Sequence, residues 1–154
     1  MKKSLLIISL LLSTTILSFA QNYKYEQDYF DKQKTNIKDN NGNLVGYLKP
    51  DYFDNSKINL YDSKGNLIKT MQEDYFDAGR TNTYNSYGTK ESSTKKDYFN
   101  KERTNIYDDN GNILGYREQD YFDKEKINVF NSRGTKVGYY KRNFFSGNWE
   151  YFDN

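Results

Sequence analysis

The sequence predicts an all-β protein built from tandem β-hairpins. Asp-Tyr-Phe-Asp or a near copy recurs every 23 residues, starting at 28, 51, 74, 97 and 120, with a partial copy at 143. Asp or Asn followed three residues later by Gly recurs with the same period, and no segment has the apolar spacing of a helix. A strict period of this length is typical of repeat architectures, in which each unit packs on its neighbours.

The first turn of each unit is the Asp/Asn-x-x-Gly element. The acid or amide caps a type I turn and the glycine takes the left-handed conformation at its exit. Alternating β-branched and aromatic residues precede the turn, as in Ile58–Tyr61, and a second apolar segment follows it, as in Leu44–Tyr47. A glycine in that second segment suggests a bulge. The turn glycines are Gly42, Gly65, Gly88, Gly111 and Gly134.

A second turn is predicted where polar residues follow the Tyr and Phe of the Asp-Tyr-Phe-Asp element, as in Asp31–Lys34 and its copies. One short strand and one longer arm therefore alternate along the chain. If the longer arm is a single strand, the units form an extended repeat sheet of 23-residue hairpins, which is our main prediction. Two short strands would instead give a β-solenoid with one 23-residue coil per repeat, in which the recurrent asparagines (Asn36, Asn59, Asn82, Asn105 and Asn128) would stack as a ladder.

Residues 1–20 are predicted to be a secretory signal peptide. Lys2 and Lys3 precede an apolar run from Leu5, and Ser18-Phe19-Ala20 offers small residues at the cleavage positions. The run is too short for a membrane span. We therefore expect an exported protein (periplasmic, cell-surface or secreted) that does not span the membrane, with residues 21–154 forming one all-β repeat domain.

The composition excludes several classes of function. Without Lys2 and Lys3 the chain has 21 basic and 21 acidic residues, so no basic surface is expected to attract nucleic acid. The sequence has no His and no Cys, and its carboxylates recur identically in every unit, so we predict no enzyme and no catalytic residue. No cofactor or metal site is predicted. Calcium in some Asp-rich turns, such as Asp108–Asn112, is the low-ranked alternative.

The aromatic residues are the candidates for binding. The phenylalanines of the Asp-Tyr-Phe-Asp element are expected to form the core ladder of the repeats. Tyr61, Tyr84, Tyr107 and Phe130 occupy one strand position, which is Lys38 in the first unit, so these rings are predicted to be exposed. Trp149 lies in the predicted closing strand of the array and joins them as a candidate binding residue.

Two resemblances fit this interpretation. Ile106–Tyr116 and Leu60–Leu67 resemble the YD repeats of bacterial Rhs-type proteins, which implies non-catalytic β-hairpin shells, although Asp-Tyr-Phe-Asp is not part of that pattern. Residues 147–154 are similar to the cell-wall or glucan-binding repeats of secreted bacterial proteins, which implies sugar or choline held between rings. The sequence thus predicts a non-enzymatic structural or protein-interaction element at the bacterial cell envelope or outside it. A carbohydrate-binding or cell-wall-binding module is the alternative.

Overall fold

Twelve antiparallel strands form one sheet in the computed structural model, which describes residues 22–154. The predicted signal peptide, 1–20, lies outside the described residues. The strands are β1 (Tyr23–Gln27), β2 (Thr35–Lys38), β3 (Leu44–Pro50), β4 (Lys57–Asp62), β5 (Leu67–Glu73), β6 (Arg80–Asn85), β7 (Lys90–Lys96), β8 (Arg103–Asp108), β9 (Ile113–Gln119), β10 (Lys126–Asn131), β11 (Lys136–Arg142) and β12 (Trp149–Asp153). The all-β hairpin prediction is confirmed.

The sheet is a closed barrel, so the predictions of an open repeat sheet and of a solenoid are wrong. Each long arm of the full units is one seven-residue strand (β3, β5, β7, β9 or β11) and not two short strands, which excludes the solenoid. The two terminal strands pair with each other through Tyr23 with Tyr151, Lys24 with Glu150, and Tyr25 with Trp149. Strand twist accumulates around a meander, and joining the two edges removes the unpaired backbone groups that an open sheet would leave.

A bulge accompanies each of the five Asp/Asn-x-x-Gly turns. In the first hairpin Ile37 pairs with Gly46 and Lys38 with Leu44, so Val45 is the extra residue. The predicted bulge therefore lies one residue before the strand glycine. Gly42 has a φ of +83°, as the predicted turn requires. Bulges increase local twist and bend a sheet, which helps this one to close.

Gly46 allows two backbones to approach closely, and this gives a testable prediction. A Cβ at Gly46 would lie 2.6 Å from the Tyr61 carbonyl oxygen, whereas a Cβ at Gly42 would meet nothing within 4 Å. Gly46→Ala is therefore expected to lower the free energy of unfolding by about 2–4 kcal/mol, because the clashing atom is main chain. Gly42→Ala is expected to cost only about 1 kcal/mol, from its positive φ. Urea unfolding of both variants checks this, and equal losses would contradict it.

The barrel interior has an apolar side and a polar side. The buried core cluster consists of Tyr25, Ile37, Leu48, Leu60, Met71, Val129 and Tyr140. Cross-strand register places Thr83, Ser92, Thr94 and Arg117 on the same inner face, and all four are buried. The inner surface of β6 to β9 therefore carries hydroxyl groups and a guanidinium among aliphatic neighbours.

Candidate docking surface

Six loops at one end of the barrel each present a pair of aromatic residues, Tyr-Phe in five loops and Phe144-Phe145 in the sixth. Each loop joins a long strand to the next short strand, and an up-and-down barrel places all such loops at the same end. We call them the crown loops: 28–34, 51–57, 74–80, 97–103, 120–126 and 143–148. Two strands separate successive loops, a distance of about 10 Å around the rim.

Hydrogen bonds to the first aspartate shape each crown loop. Asp28 Oδ1 accepts the backbone N–H groups of Phe30 and Asp31, both at 3.0 Å. Asp28 Oδ2 accepts the side-chain amide of Asn36 at 2.8 Å. The Asp28 N–H donates to the Lys34 carbonyl at 2.9 Å and closes the loop. The tight turn leaves the two intervening rings at the loop tip.

The recurrent asparagines support the loops and do not form the ladder that a solenoid would need. In all five full units the Asn amide donates to the first Asp of its own loop, eight residues upstream, at 2.7–3.0 Å. The sixth loop keeps the turn with Asn143, whose Oδ1 accepts the N–H groups of Phe145 and Ser146 at 3.0 Å. One element of local structure is therefore repeated six times around the rim.

The twelve rings at the loop tips are almost fully exposed, so the prediction that the phenylalanines form a core ladder is wrong. Exposure ranges from 78% for Tyr29 to 95% for Phe145. Within a loop the two rings meet edge to face, with centroids 5.0 Å apart in Tyr29–Phe30. We call this set the aromatic crown: Tyr29, Phe30, Tyr52, Phe53, Tyr75, Phe76, Tyr98, Phe99, Tyr121, Phe122, Phe144 and Phe145.

The two ends of the barrel differ in chemistry. The opposite end is made of the five Asp/Asn-x-x-Gly turns, whose carboxylates and amides bind their own backbone, as Asp39 Oδ1 does with the N–H groups of Asn41 and Asn43 at 2.9 Å. Among residues 22–154 that end has one ring as exposed as those of the crown, Tyr87 at 92%. The molecule is therefore aromatic at one end, whereas the other end combines polar turns with exposed aliphatic side chains such as Leu44, Ile113 and Leu114.

Charge on the crown loops is nearly balanced. The six loops contain eight basic and eleven acidic residues. Several of these form ion pairs on the barrel wall, including Lys49 with Asp31 at 2.8 Å and Arg103 with Glu118 at 3.1 Å. The crown therefore carries no field that would attract a strongly charged target from a distance.

The residues predicted to bind lie elsewhere. Tyr61, Tyr84, Tyr107 and Phe130 are on the outer barrel wall and are half-buried, not exposed as predicted. Tyr61 stacks on Tyr47 with centroids 5.0 Å apart, and Phe130 stacks on Tyr116 at 4.7 Å. Trp149 is half-buried against the core cluster.

Tyr107 lines a shallow concave surface. The Arg80 guanidinium lies over its ring at 5.5 Å, and a shallow cleft there is lined by Arg80, Lys95, Tyr98, Phe99, Asn105 and Tyr107. The outer wall and the crown meet at this cleft through Tyr98 and Phe99. Tyr107 is therefore a wall ring that adjoins the crown.

Sequence reasoning missed the crown, although a signal for it was present. Successive side chains of a strand point to opposite faces, so a strand would bury only one ring of each Tyr-Phe pair. An Asp before and an Asp or Asn after the pair are residues that cap turns through their own backbone. Together these features indicate a turn with both rings at its tip.

Hydrogen bonds lower the pKa of the first aspartate in each of the five full crown loops. Hydrogen bonds, first from the Asn128 amide and then from the backbone of Phe122 and Asp123, lower the pKa of Asp120 from 3.8 to about 2. Hydrogen bonds lower the pKa of Asp28 to about 2 in the same way. Because the folded pKa lies below the unfolded one, these groups stabilise the fold above pH 4, and their contribution is lost as the pH falls through 2.

This hydrogen bond can be tested by titration. Asn128→Ala removes the largest cause of the shift, so the pKa of Asp120 is expected to rise from about 2 toward 3.8, while that of Asp28 stays in place. NMR titration of the two side-chain carboxyl groups measures both values in one sample. An unchanged pKa of Asp120 would mean that the amide does not hold this loop.

Within 22–154, no group of three His, Cys, Asp or Glu side chains could hold a metal ion. Calcium at the turns remains a prediction. None of the described residues belongs to a helix long and apolar enough to cross a membrane.

Comparison with known proteins shows a relative in fold. The structure is similar to the X-ray structure of a protein from Arabidopsis thaliana, AT5G01750, with a TM-score of 0.66 and 13% sequence identity. The match covers 88% of this chain and 80% of that one. No family model matches the sequence, and no curated protein matches it. At this identity the likeness concerns the fold alone.

Proposed function

We propose that the protein is a non-enzymatic docking module of the cell envelope and that the aromatic crown is its contact surface. The observation that supports this most directly is the exposure of twelve rings at one end of one barrel. Together they present on the order of 1,500 Å² of ring surface. This total exceeds the roughly 300–600 Å² of the largest contiguous apolar patch on a typical monomer, and it is divided among six loop tips about 10 Å apart. A surface of this kind is expected to be covered in the working state.

The target that fits the crown best is the lipid–water interface of a membrane. Tyrosine rings, with an apolar body and a polar tip, are enriched at that level of a bilayer. Phenylalanines at loop tips would add apolar contact deeper in the interface. The crown places both kinds of ring on every full loop, and all six loops lie at the same end of the barrel.

Repetition favours a lipid surface over a single protein partner. Protein interfaces usually concentrate binding energy in a few residues near the centre of the contact. Here the same element is repeated around a rim, and the centre of the rim is the mouth of the barrel. A target that is uniform in the plane contacts six equivalent loops equally well.

The loop hydrogen bonds disfavour the carbohydrate alternative. Sugar sites combine a stacking ring with polar groups that are available to sugar hydroxyls. Both carboxylate oxygens of Asp28 already accept hydrogen bonds from their own loop and strand, and this arrangement is repeated in the other full units. The rings therefore lack a free carboxylate beside them.

Flotation with lipid vesicles tests the proposal. We expect the protein to float with uncharged phosphatidylcholine vesicles and to remain bound in 0.5 M salt, because the crown has no excess of basic residues. A crown variant with Phe30, Phe53, Phe76, Phe99, Phe122 and Phe145 changed to Ser is expected to stay unbound. A wall variant with Tyr61, Tyr84 and Tyr107 changed to Ser serves as the control and is expected to float like the wild type.

Parallel arms of the experiment identify the other targets. Retention of the wild type on peptidoglycan or an insoluble polysaccharide, lost in the wall variant but not in the crown variant, would replace the proposal by the carbohydrate alternative. Absence of flotation together with crown-dependent binding to an envelope protein would keep the docking surface but contradict the lipid target.

A further inference from the structure

The outer wall of the barrel carries a stack of three groups around a central tyrosine. In the first unit the Lys34 ammonium lies 4.4 Å from the centre of the Tyr47 ring. Tyr47 stacks on its cross-strand neighbour Tyr61, with centroids 5.0 Å apart. The Tyr47 hydroxyl reaches the next turn, where it lies 3.5 Å from the position that a Cβ would take at Gly65. The central ring is therefore held by a cation, a second ring and a turn glycine.

Two other units build the same stack, with Tyr116 and Tyr139 as central rings. Arg103 lies over Tyr116 at 4.2 Å, and Lys126 lies over Tyr139 at 4.7 Å. The second rings, which stack on these tyrosines from the next strand, are Phe130 and Phe152. In all three units the cation comes thirteen residues before the central ring. The repeat therefore specifies where a ring is held on this wall.

The third unit lacks the central ring but keeps the groups around it. Ser93 occupies the position of the central tyrosine and pairs across the strands with Tyr107, which is the second ring. Arg80, thirteen residues before Ser93, is the cation, and its guanidinium lies 5.5 Å from the centre of the Tyr107 ring. The turn glycine is Gly111, where a Cβ would meet no described atom within 4 Å. One ring is therefore missing from an otherwise complete stack.

A shallow cleft marks the place of the missing ring. Its volume is about 360 Å³, and Arg80, Tyr107 and Gly111 all line it. Small-molecule sites begin at about 300 Å³. Arg80 Nη1 donates to Ser93 Oγ at 2.9 Å, so a ring that stacks on Tyr107 displaces this bond and moves the guanidinium outward. The outward position corresponds to that of Arg103, which lies over its own central ring at 4.2 Å.

The second unit provides an internal comparison, because it also lacks the central tyrosine. Thr70 takes that position, and its hydroxyl donates to Asn59 at 2.8 Å. The cation of this unit is Lys57, whose ammonium pairs with Asp54 at 3.3 Å. A guanidinium stacks on an aromatic face, whereas an ammonium acts as a point charge. The third unit is therefore the better site for an added ring.

We propose that the cleft of the third unit binds an aromatic ring of the size of a tyrosine side chain, which stacks on Tyr107 beneath the Arg80 guanidinium. The ring takes the place that Tyr47 and Tyr116 fill in their own units. Offset stacking and a guanidinium over the ring face each favour an aromatic ring over a saturated one. A free phenol and a tyrosine in a protein segment present the same group. The site does not depend on the membrane target of the crown, and its test contains no lipid.

An NMR titration with p-cresol tests the site in the full chain, expressed from its natural start and purified as the cell processes it. We expect the amide signals of Ser93 and Tyr107 to shift, with a Kd on the order of 1 mM for a ligand of eight non-hydrogen atoms. The saturated analogue 4-methylcyclohexanol carries the same substituents and is expected to bind about fivefold more weakly. No shift with p-cresol, or equal affinity for the two compounds, would overturn the proposal.

Ser93→Tyr is the matched variant, because it supplies the missing ring and keeps every ring of the crown. It is expected to lose p-cresol binding, whereas Ser93→Ala leaves the cleft empty and is expected to bind like the wild type. Tyr107→Leu removes the second ring and is expected to weaken binding about tenfold. Wild-type affinity in either Ser93→Tyr or Tyr107→Leu would overturn the proposal, since the ring would then bind elsewhere.

A short peptide distinguishes the two sources of the ring. The probe is an acetylated and amidated Gly-Tyr-Gly peptide, titrated into the wild type and into Ser93→Tyr. Binding that is tighter than that of p-cresol and is lost in Ser93→Tyr assigns the site to a tyrosine of a protein segment. Weaker binding of the peptide assigns the site to free phenols.

Discussion

Changing the phenylalanine of one crown loop to serine is expected to weaken vesicle binding by about tenfold. Burial of a Phe side chain is worth about 1.5–3 kcal/mol, and an interfacial ring gains part of that. The loops are about 10 Å apart along the rim, so their contributions are expected to add, and the effects on the partition coefficient to multiply. A series that starts with Phe76→Ser and then adds Phe30→Ser and Phe122→Ser checks this by flotation.

The control for that series is an exposed ring outside the crown. Tyr87 is 92% exposed, like the crown rings, but lies in a turn at the opposite end of the barrel. Tyr87→Ser is expected to leave the partition coefficient unchanged. A loss equal to that of Phe76→Ser would mean that general hydrophobicity, not the crown, determines binding.

Tyr140→Ala is expected to lower the free energy of unfolding by about 3–5 kcal/mol, the usual cost of removing a large ring from a core. Tyr140 is 2% exposed and packs against Tyr151 with centroids 4.8 Å apart. Tyr25 on β1 belongs to the same cluster. These rings join β11, β12 and β1 beside the seam where the barrel closes, and only three residue pairs form that seam.

The neighbouring tyrosine provides a matched control for this stability change. Tyr139 lies on the outer wall, half-buried, and stacks on Phe152 at 5.1 Å. Tyr139→Ala is expected to cost about 1 kcal/mol, measured by the same urea unfolding. Hydrogen exchange of the backbone amides in β1 is expected to rise in Tyr140→Ala and to stay slow in Tyr139→Ala. Equal stability losses in the two variants would contradict the assigned inner and outer faces.

Local features of the fold could be predicted from the sequence, because short-range hydrogen bonds determine them. Asp39 and Gly42 form the predicted turn, since an Asx cap and a left-handed glycine specify it within five residues. Closure could not be predicted in this way. Tyr23 and Tyr151 are far apart in the sequence, and their pairing depends on the twist that accumulates over the strands between them.

The exposure of the candidate rings was predicted wrongly for a physical reason. Tyr61 and its copies were predicted to be exposed from their place in one strand, but a cross-strand neighbour such as Tyr47 stacks on one face of the Tyr61 ring. Phe30 was expected in the core because large apolar side chains are usually buried. The capping bonds to Asp28 prevail over that tendency, because they fix the turn and leave the ring no inner face to occupy.

The most direct test of the docking surface is a polarity probe placed at each end of one repeat. The sequence has no Cys, so single cysteines at Ala78, in a crown loop, and at Ser86, in the turn at the opposite end, can each carry an environment-sensitive fluorophore. Both positions are exposed, and all twelve crown rings are retained. On addition of phosphatidylcholine vesicles we expect a blue shift of the emission at position 78 and none at position 86. No shift at 78, or equal shifts at both positions, would contradict the claim that the aromatic crown is the surface that meets the membrane.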